Sequence, residues 1–244
     1  MSLKNYASNV YKYFPKNNLG CGFGPVTAIN WILSKEKYAI ILEDDCVPLN
    51  GFFEFMEWWL NKKEKDNNCF MVSGNNYPVF SNKMITTKTK FAFTHGWGTW
   101  SRAWSGYDYN ISSWNTDDFK IKLIPFYTFR RHWIKIFDKI SKDNSKTYWD
   151  YQWQYHIWKK KGYSLQPPVN LIKNIGFNKN ASHTVDENDW RGRIPAKSIP
   201  LNFKDHSPKF NFLTEFKNMI IDLNIASFIL RFFLKIKNKF KIFI

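Results

Sequence analysis

The first third of the chain switches between two hydrophobic periods. Val26, Ile29 and Leu33 recur at helical spacing behind Gly24-Pro25, and a proline tolerated in the first turn predicts a helix beginning there. Tyr38-Ala39-Ile40-Ile41-Leu42 then runs apolar without alternation and stops at Glu43-Asp44-Asp45, which predicts a strand buried on both faces whose carboxyl end opens into a cleft. Pro48 breaks the chain. Residues 51–65 predict a second helix, with Phe52, Phe55, Met56, Trp59 and Leu60 inward and a polar Asn-Lys-Lys-Glu-Lys end. A short strand over Cys69 to Ser73 follows and stops at Gly74-Asn75-Asn76. Two strands joined through a helix predict a parallel, right-handed crossover in one sheet, so the fold class is α/β. Open sheets of that class bind ligands at the carboxyl edge of their strands, where the three acids fall.

Further along, Trp97, Trp100 and Trp104 are spaced three and four apart and share a face if their segment is helical. Such a face serves a core as readily as a cleft wall; Gly96, Gly98, His95 and Arg102 beside it tilt the reading toward a cleft. Residues 145–161 predict a helix closed by Gly162 as C-cap, with Asp150 its one carboxylate among Tyr148, Trp149, Tyr151 and Trp153. An acid in aromatic surroundings is poised to take a proton, or it complements the helix dipole from the first turn. Residues 170–177 read as a strand-like segment, and His183 in the loop beyond is either a structural histidine or one that completes a metal site begun by carboxylates.

Composition narrows the partners. The 244 residues suffice for one domain with an appendage, and the three adjacent carboxylates sit in a chain of formal charge +16, which favours an anionic partner: nucleic acid, an anionic membrane surface or a nucleotide-linked substrate. Aromatic residues make up 19% of the chain, and tryptophan and tyrosine suit stacking on sugars or bases as well as packing. Cys21, Cys46 and Cys69 have neither metal-site spacing nor an even count, so a reduced, cytoplasmic compartment is expected, with all three as small core hydrophobes. No signal-peptide pattern or uninterrupted membrane span is visible. From Phe216 to Ile244, apolar residues interleave with Lys217, Arg231, Lys235, Lys237, Lys239 and Lys241, a basic amphipathic pattern that fits peripheral contact with the inner face of an anionic membrane or a helix packed on the domain. Like charges at 43–45 repel, so they are either a solvated acidic loop or a seat for a divalent cation.

Five motifs in order carry a resemblance: Leu42-Glu43-Asp44-Asp45, Ser73-Gly74-Asn75, Gly96-Trp97-Gly98-Thr99-Trp100 with Trp104, Trp149-Asp150-Tyr151-Gln152-Trp153, and Asn170-Leu171 through Asn174-Ile175-Gly176 to His183. Over about residues 17–185 the chain resembles nucleotide-sugar transferases of the GT-A fold, near glycosyltransferase family 2. The resemblance implies a Rossmann-like, mostly parallel sheet flanked by helices over residues 1–205, followed by the C-terminal segment 206–244. It implies a metal-dependent inverting transferase that moves a sugar from a nucleotide-diphosphate donor to a hydroxyl of a glycan or lipid-linked acceptor. By that resemblance Asp45 binds Mn²⁺ or Mg²⁺ directly, and Glu43, with Asp44 beside it at the donor nucleotide, acts through the metal's water or the ribose. His183 is a further metal ligand, Asp150 is the catalytic base, and Trp97, Trp100 and Trp149 hold a sugar by stacking.

A strand-helix-strand unit normally precedes the first helix in that family. About two dozen residues stand before it here, against the thirty or more a βαβ unit needs, so the chain is expected to be incomplete at its N-terminus. A transferase remnant acting as an interaction module is the alternative that departure supports. A basic nucleic-acid-binding or metal-nuclease protein is the other class; the lysines are dispersed or C-terminal with no recognised binding motif, so nucleic acid is not an expected partner.

Overall fold

The computed structural model describes residues 9–76, 84–114, 127–142, 147–176, 194–205 and 207–222. In chain order the elements are α1 (Gly20–Leu33), β1 (Tyr38–Ile41), β2 (Cys46–Pro48), α2 (Phe52–Lys62), β3 (Cys69–Ser73), β4 (Thr87–Thr89), β5 (Trp97–Trp100), α3 (Ser101–Trp104), α4 (Tyr127–Lys142), α5 (Asp150–Lys159), β6 (Tyr163–Gln166), β7 (Ile172–Asn174), β8 (Lys209–Phe210) and α6 (Phe212–Asp222). The α/β class holds.

Six strands form one mixed sheet in the order β1-β5-β3-β6-β4-β8, and β2 pairs with β7 in a separate ribbon. β1 and β3 both pair antiparallel with β5, so they run in the same direction as their helical connection requires, yet they do not touch. β6 is parallel to β3, while β4 turns back against β6 and carries β8 alongside. The predicted crossover is thus present in one sheet, with an antiparallel strand inserted between its two halves.

Helices cover both faces, the three-layer solution for a sheet with two apolar sides. α2 lies on one: Trp100 donates its indole Nε1 to Leu60 O at 2.9 Å, and a Cβ on Gly98 would stand 3.0 Å from Leu60 Cδ1. α1, α3 and α5 lie on the other, where Trp97 stacks on Trp149 and packs against Trp104 and Trp153. α5 is buried on every side from Gln152 to Trp158, which explains its aromatic surround. Trp153 and Ile157 join the sheet's core, while Tyr155 and Trp158 join a second cluster with Phe91, Trp114, Trp133 and Phe137. Gln154 of α5 is satisfied: it accepts from Ala92 N at 2.7 Å and donates to Lys90 O at 2.9 Å.

Several local expectations change. Residues 97–104 are a strand followed by one helical turn, because Trp97 and Gly98 pair with both neighbouring strands; an odd spacing along a strand sends Trp97 and Trp100 to opposite faces. α1 starts at Gly20, where Asn18 Oδ1 accepts from Gly20 N at 2.8 Å, so Pro25 lies inside the helix rather than in its first turn. At the end of α5 the left-handed residue is Lys161, with φ 56°, while Gly162 N reaches Ile157 O at 2.8 Å. Gly162 is needed for a different reason: a Cβ there would collide with the Phe70 ring. Cys46 and Cys69 are buried as expected, but Cys21 is exposed. The predicted C-terminal helix is described only as α6; residues 223–244 lie outside the described residues.

Candidate functional site

β1 delivers Leu42, Glu43, Asp44 and Asp45 at its carboxyl end as the turn into β2. Two backbone bonds pin that turn: Cys46 N to Glu43 O at 3.1 Å, and Ile175 N to Asp45 O at 2.9 Å. The second ties the acids to the end of β7, where Gly176 N is held by Asn174 Oδ1 at 2.7 Å. A side chain at 176 would drive into the Asp45 carboxylate, since a Cβ there would stand 3.0 Å from Asp45 Cβ and collide with Oδ2. Glycine at 176 therefore leaves Asp45 its place.

Glycines also let the neighbouring loops close over the sheet edge. Gly74 N donates to Gly96 O at 2.8 Å, Leu171 N donates to Gly74 O at 2.9 Å, and a Cβ on Gly96 would press on Ile172 and approach Leu42. Gly96 adopts φ +69°, a conformation that disfavours any side chain. Asn75 Nδ2 then reaches Asn170 Oδ1 at 3.3 Å, and Asn76 Nδ2 reaches Pro167 O at 2.7 Å. The carboxyl ends of β1, β3 and β6 and the start of β5 thus share one edge.

Asp150 opens α5 over that edge. Tyr107, stacked on Trp104 with centroids 4.2 Å apart, donates its hydroxyl to Trp149 O at 2.9 Å and so fixes the residue before Asp150. Desolvation holds the Asp150 carboxyl above the usual carboxylate range, against a downward pull from the backbone amides of Tyr151, Asp150 and Trp149 and from His95 nearby. Desolvation, followed by the charges of Asp45, Asp150 and Asp44, pushes the Glu43 carboxyl up to about 7. Glu43 is exposed, so crowding by like charges is the physical heart of that rise. The structure brings Asp150 within electrostatic reach of Glu43, although the two are far apart in sequence.

Of the predicted residues, Glu43, Asp44, Asp45 and Asp150 gather at this edge. The three tryptophans do not offer themselves to a sugar: Trp97, Trp100 and Trp149 are buried. Trp100 faces α2, on the side of the sheet away from Asp150, and Trp97 and Trp149 cover each other at a centroid distance of 5.7 Å. They are packing residues, as an aromatic pattern at this spacing more often is. Arg102 is likewise structural. It lies over the Trp100 ring and donates to Lys63 O, Glu64 O and Cys69 O, securing the end of α2. Tyr107 was not foreseen, since nothing in its local sequence marks it, and Asn170 stood in the fifth motif without a role assigned to it.

His183 lies outside the described residues. Among the described residues no three His, Cys, Asp or Glu side chains converge as a metal-holding group. The donor set still fits a hard divalent cation: Glu43 and Asp45 supply carboxylate oxygens, and neither ion pair among the described residues, Lys37–Glu64 or Lys63–Asp66, compensates them. Magnesium-like ions are commonly held by one or two carboxylates, with waters and substrate phosphates completing the shell. No helix among the described residues is long and apolar enough to cross a membrane. No protein-family model matches the chain, and no curated protein matches it.

Proposed function

We propose that the chain is a metal-dependent inverting glycosyltransferase of the GT-A type, acting on a nucleotide-diphosphate sugar and an acceptor hydroxyl of a glycan or lipid-linked molecule. The observation that carries this reading is the approach of Asp150, at the start of α5, to the acid cluster that ends β1. The two sides have different work to do. Asp45 and Glu43 would hold the cation, which when bound offsets charge on the departing diphosphate. Asp150, with its affinity for a proton raised by desolvation, accepts the acceptor's hydroxyl proton as that oxygen attacks the anomeric carbon. His95 lies close enough to steady the Asp150 charge, and Tyr107 fixes its backbone through Trp149. A single displacement of this kind inverts the anomeric centre. The mixed sheet with helices on both faces and its acids at the carboxyl edge supports the reading without being specific to it.

The test is release of nucleoside diphosphate from UDP-, GDP- and dTDP-sugars with manganese present, paired with calorimetry of the free nucleotides. Release from at least one donor, dependent on manganese and abolished in Asp45→Asn, is the expected result. Absence of release together with absence of any manganese-dependent nucleotide binding would overturn the proposal.

A further inference from the structure

The first turns of α6 present an apolar face outward, the reverse of what a helix facing water does. Polar side chains of α6 point inward. Asn218, fully buried, donates through Nδ2 to Thr89 Oγ1 at 2.9 Å and to Gln166 Oε1 at 2.8 Å. Glu215 accepts Lys90 N at 3.2 Å on both carboxylate oxygens, and Lys217 Nζ donates to Asn76 Oδ1 at 2.7 Å. Three large apolar side chains of its first turns point outward, Phe212 70% exposed, Leu213 71% and Phe216 43%, while Met219 and Ile221 further along pack against the second cluster. Positions 212, 213 and 216 fall on one helical face, and the Phe212 and Phe216 rings stack at 6.3 Å. Phe210, half exposed on β8, precedes them.

A helix facing water buries its apolar stripe and exposes its polar one. Three large apolar groups on one outward face, on a helix that turns Asn218, Glu215 and Lys217 inward, mark a surface that something else covers. Charge identifies the occupant. Lys209, exposed beside Phe210, and Lys90, exposed where its backbone amide holds Glu215, rim the apolar face. The whole chain carries +16. We propose that the outer face of α6 docks on an anionic lipid bilayer, with Phe212, Leu213 and Phe216 entering the interfacial layer while the rim lysines meet the headgroups. The inference stands independently of the transferase reading. It also has a geometric corollary: Gln166 ends β6 and Asn76 lies in the loop beyond β3, so α6 is bonded to the carboxyl edge of the sheet, and docking turns that edge toward the headgroups.

The test is flotation of the full chain with vesicles of phosphatidylcholine alone and of phosphatidylcholine with phosphatidylglycerol. Wild-type protein should float with the anionic vesicles at low salt and be released as salt rises. Phe212→Ser/Leu213→Ser/Phe216→Ser should weaken that binding about tenfold or more with unchanged circular dichroism. Phe53→Ser, an exposed aromatic on α2, should leave it unchanged. If the triple variant misfolds, Lys90→Glu/Lys209→Glu should lose the binding instead. Failure of the wild type to float, or equal flotation of the triple and wild-type proteins, overturns the proposal. So does a concentration-dependent dimer that the triple substitution dissolves without any vesicle binding, which would make a second copy the occupant.

Discussion

Two acids at opposite edges of the same sheet meet opposite fates. Asp66, just ahead of β3, is surrounded by partners: Lys63 Nζ at 2.8 Å and Tyr163 hydroxyl at 2.6 Å on one oxygen, and Asn68 N at 3.1 Å on the other. Desolvation works upward on it, but those hydrogen bonds and the Lys63 charge prevail and bring its pKa down to about 2. Glu43, just beyond β1, is pushed up to about 7 by desolvation and by the charges of Asp45, Asp150 and Asp44. The chain has 36 lysines and arginines, so leaving Glu43 among like charges is not for want of cations. The amino edge is finished as structure, whereas the acids of the carboxyl edge enter neither ion pair among the described residues, as the proposed cation site requires.

The largest expected effect is at the second edge. Asp150→Asn keeps the shape and removes the proton acceptor, so turnover should fall roughly a hundredfold or more, the usual share of a positioned base, with nucleotide affinity nearly unchanged. If Asp150 merely complements the helix dipole, turnover stays normal and stability drops by about 0.3–1 kcal/mol. Steady-state kinetics and urea unfolding of one variant separate the two roles.

Next in size is the response to a cation. At a hundredfold excess over its dissociation constant, manganese should stabilise the protein by about 2.7 kcal/mol. Asp45→Asn should abolish that gain and Gly176→Ala should reduce it, the latter by displacing the carboxylate that the added methyl would strike. Equal stabilisation of wild type and Asp45→Asn would place the ion elsewhere.

Asp66→Asn should cost about 1–2 kcal/mol in urea unfolding through its lost charge-assisted bonds, and leave the manganese response intact. A changed manganese response would mean the two edges are coupled.

The smallest effect is the direction of pH dependence. Asp66 has a folded value of about 2 against an ordinary 3.8, so its contribution is complete above about 4 and is lost as pH falls toward 2. Glu43 has a folded value of about 7 against 4.5, so its contribution is complete below about 4.5 and is lost as pH rises through 7. Between those values metal-free protein should weaken with rising pH, and Glu43→Gln should flatten that slope in unfolding curves.

What the sequence disclosed follows from local pattern. β3 and the inward residues of α2 are as read, because an uninterrupted apolar run and a helical stripe need no distant partner to be recognised; β1 falls where it was read, but as the edge strand of the sheet it buries Ala39 alone rather than both faces. The acids and Asp150 were visible as residue types, but their meeting depends on how α5 crosses the sheet. The tryptophans misled because their spacing suits a helix, whereas pairing with two strands decided the conformation of β5. α4 has no counterpart among the predicted elements, although Phe129, Trp133, Phe137 and Ile140 fall on one helical face and bury together. Strands as short and polar as β4 carry no periodic signal, since their existence rests on β6 beside them.

The position of β5 between β1 and β3 bears on how the chain acquires its shape. β1, α2 and β3 are contiguous and would ordinarily close into a unit on their own, but their strands share no pairing until Trp97–Trp100 arrives to bond both. A chain emerging from the ribosome therefore holds two unpaired strands, each apolar, until residue 100 has been made. Closing that gap requires contacts distant in sequence, and ordering long loops before such contacts form is slow. The joining of β1 to β3 thus waits on the wedge strand, and until it is made both apolar strands are open to pairing with another chain.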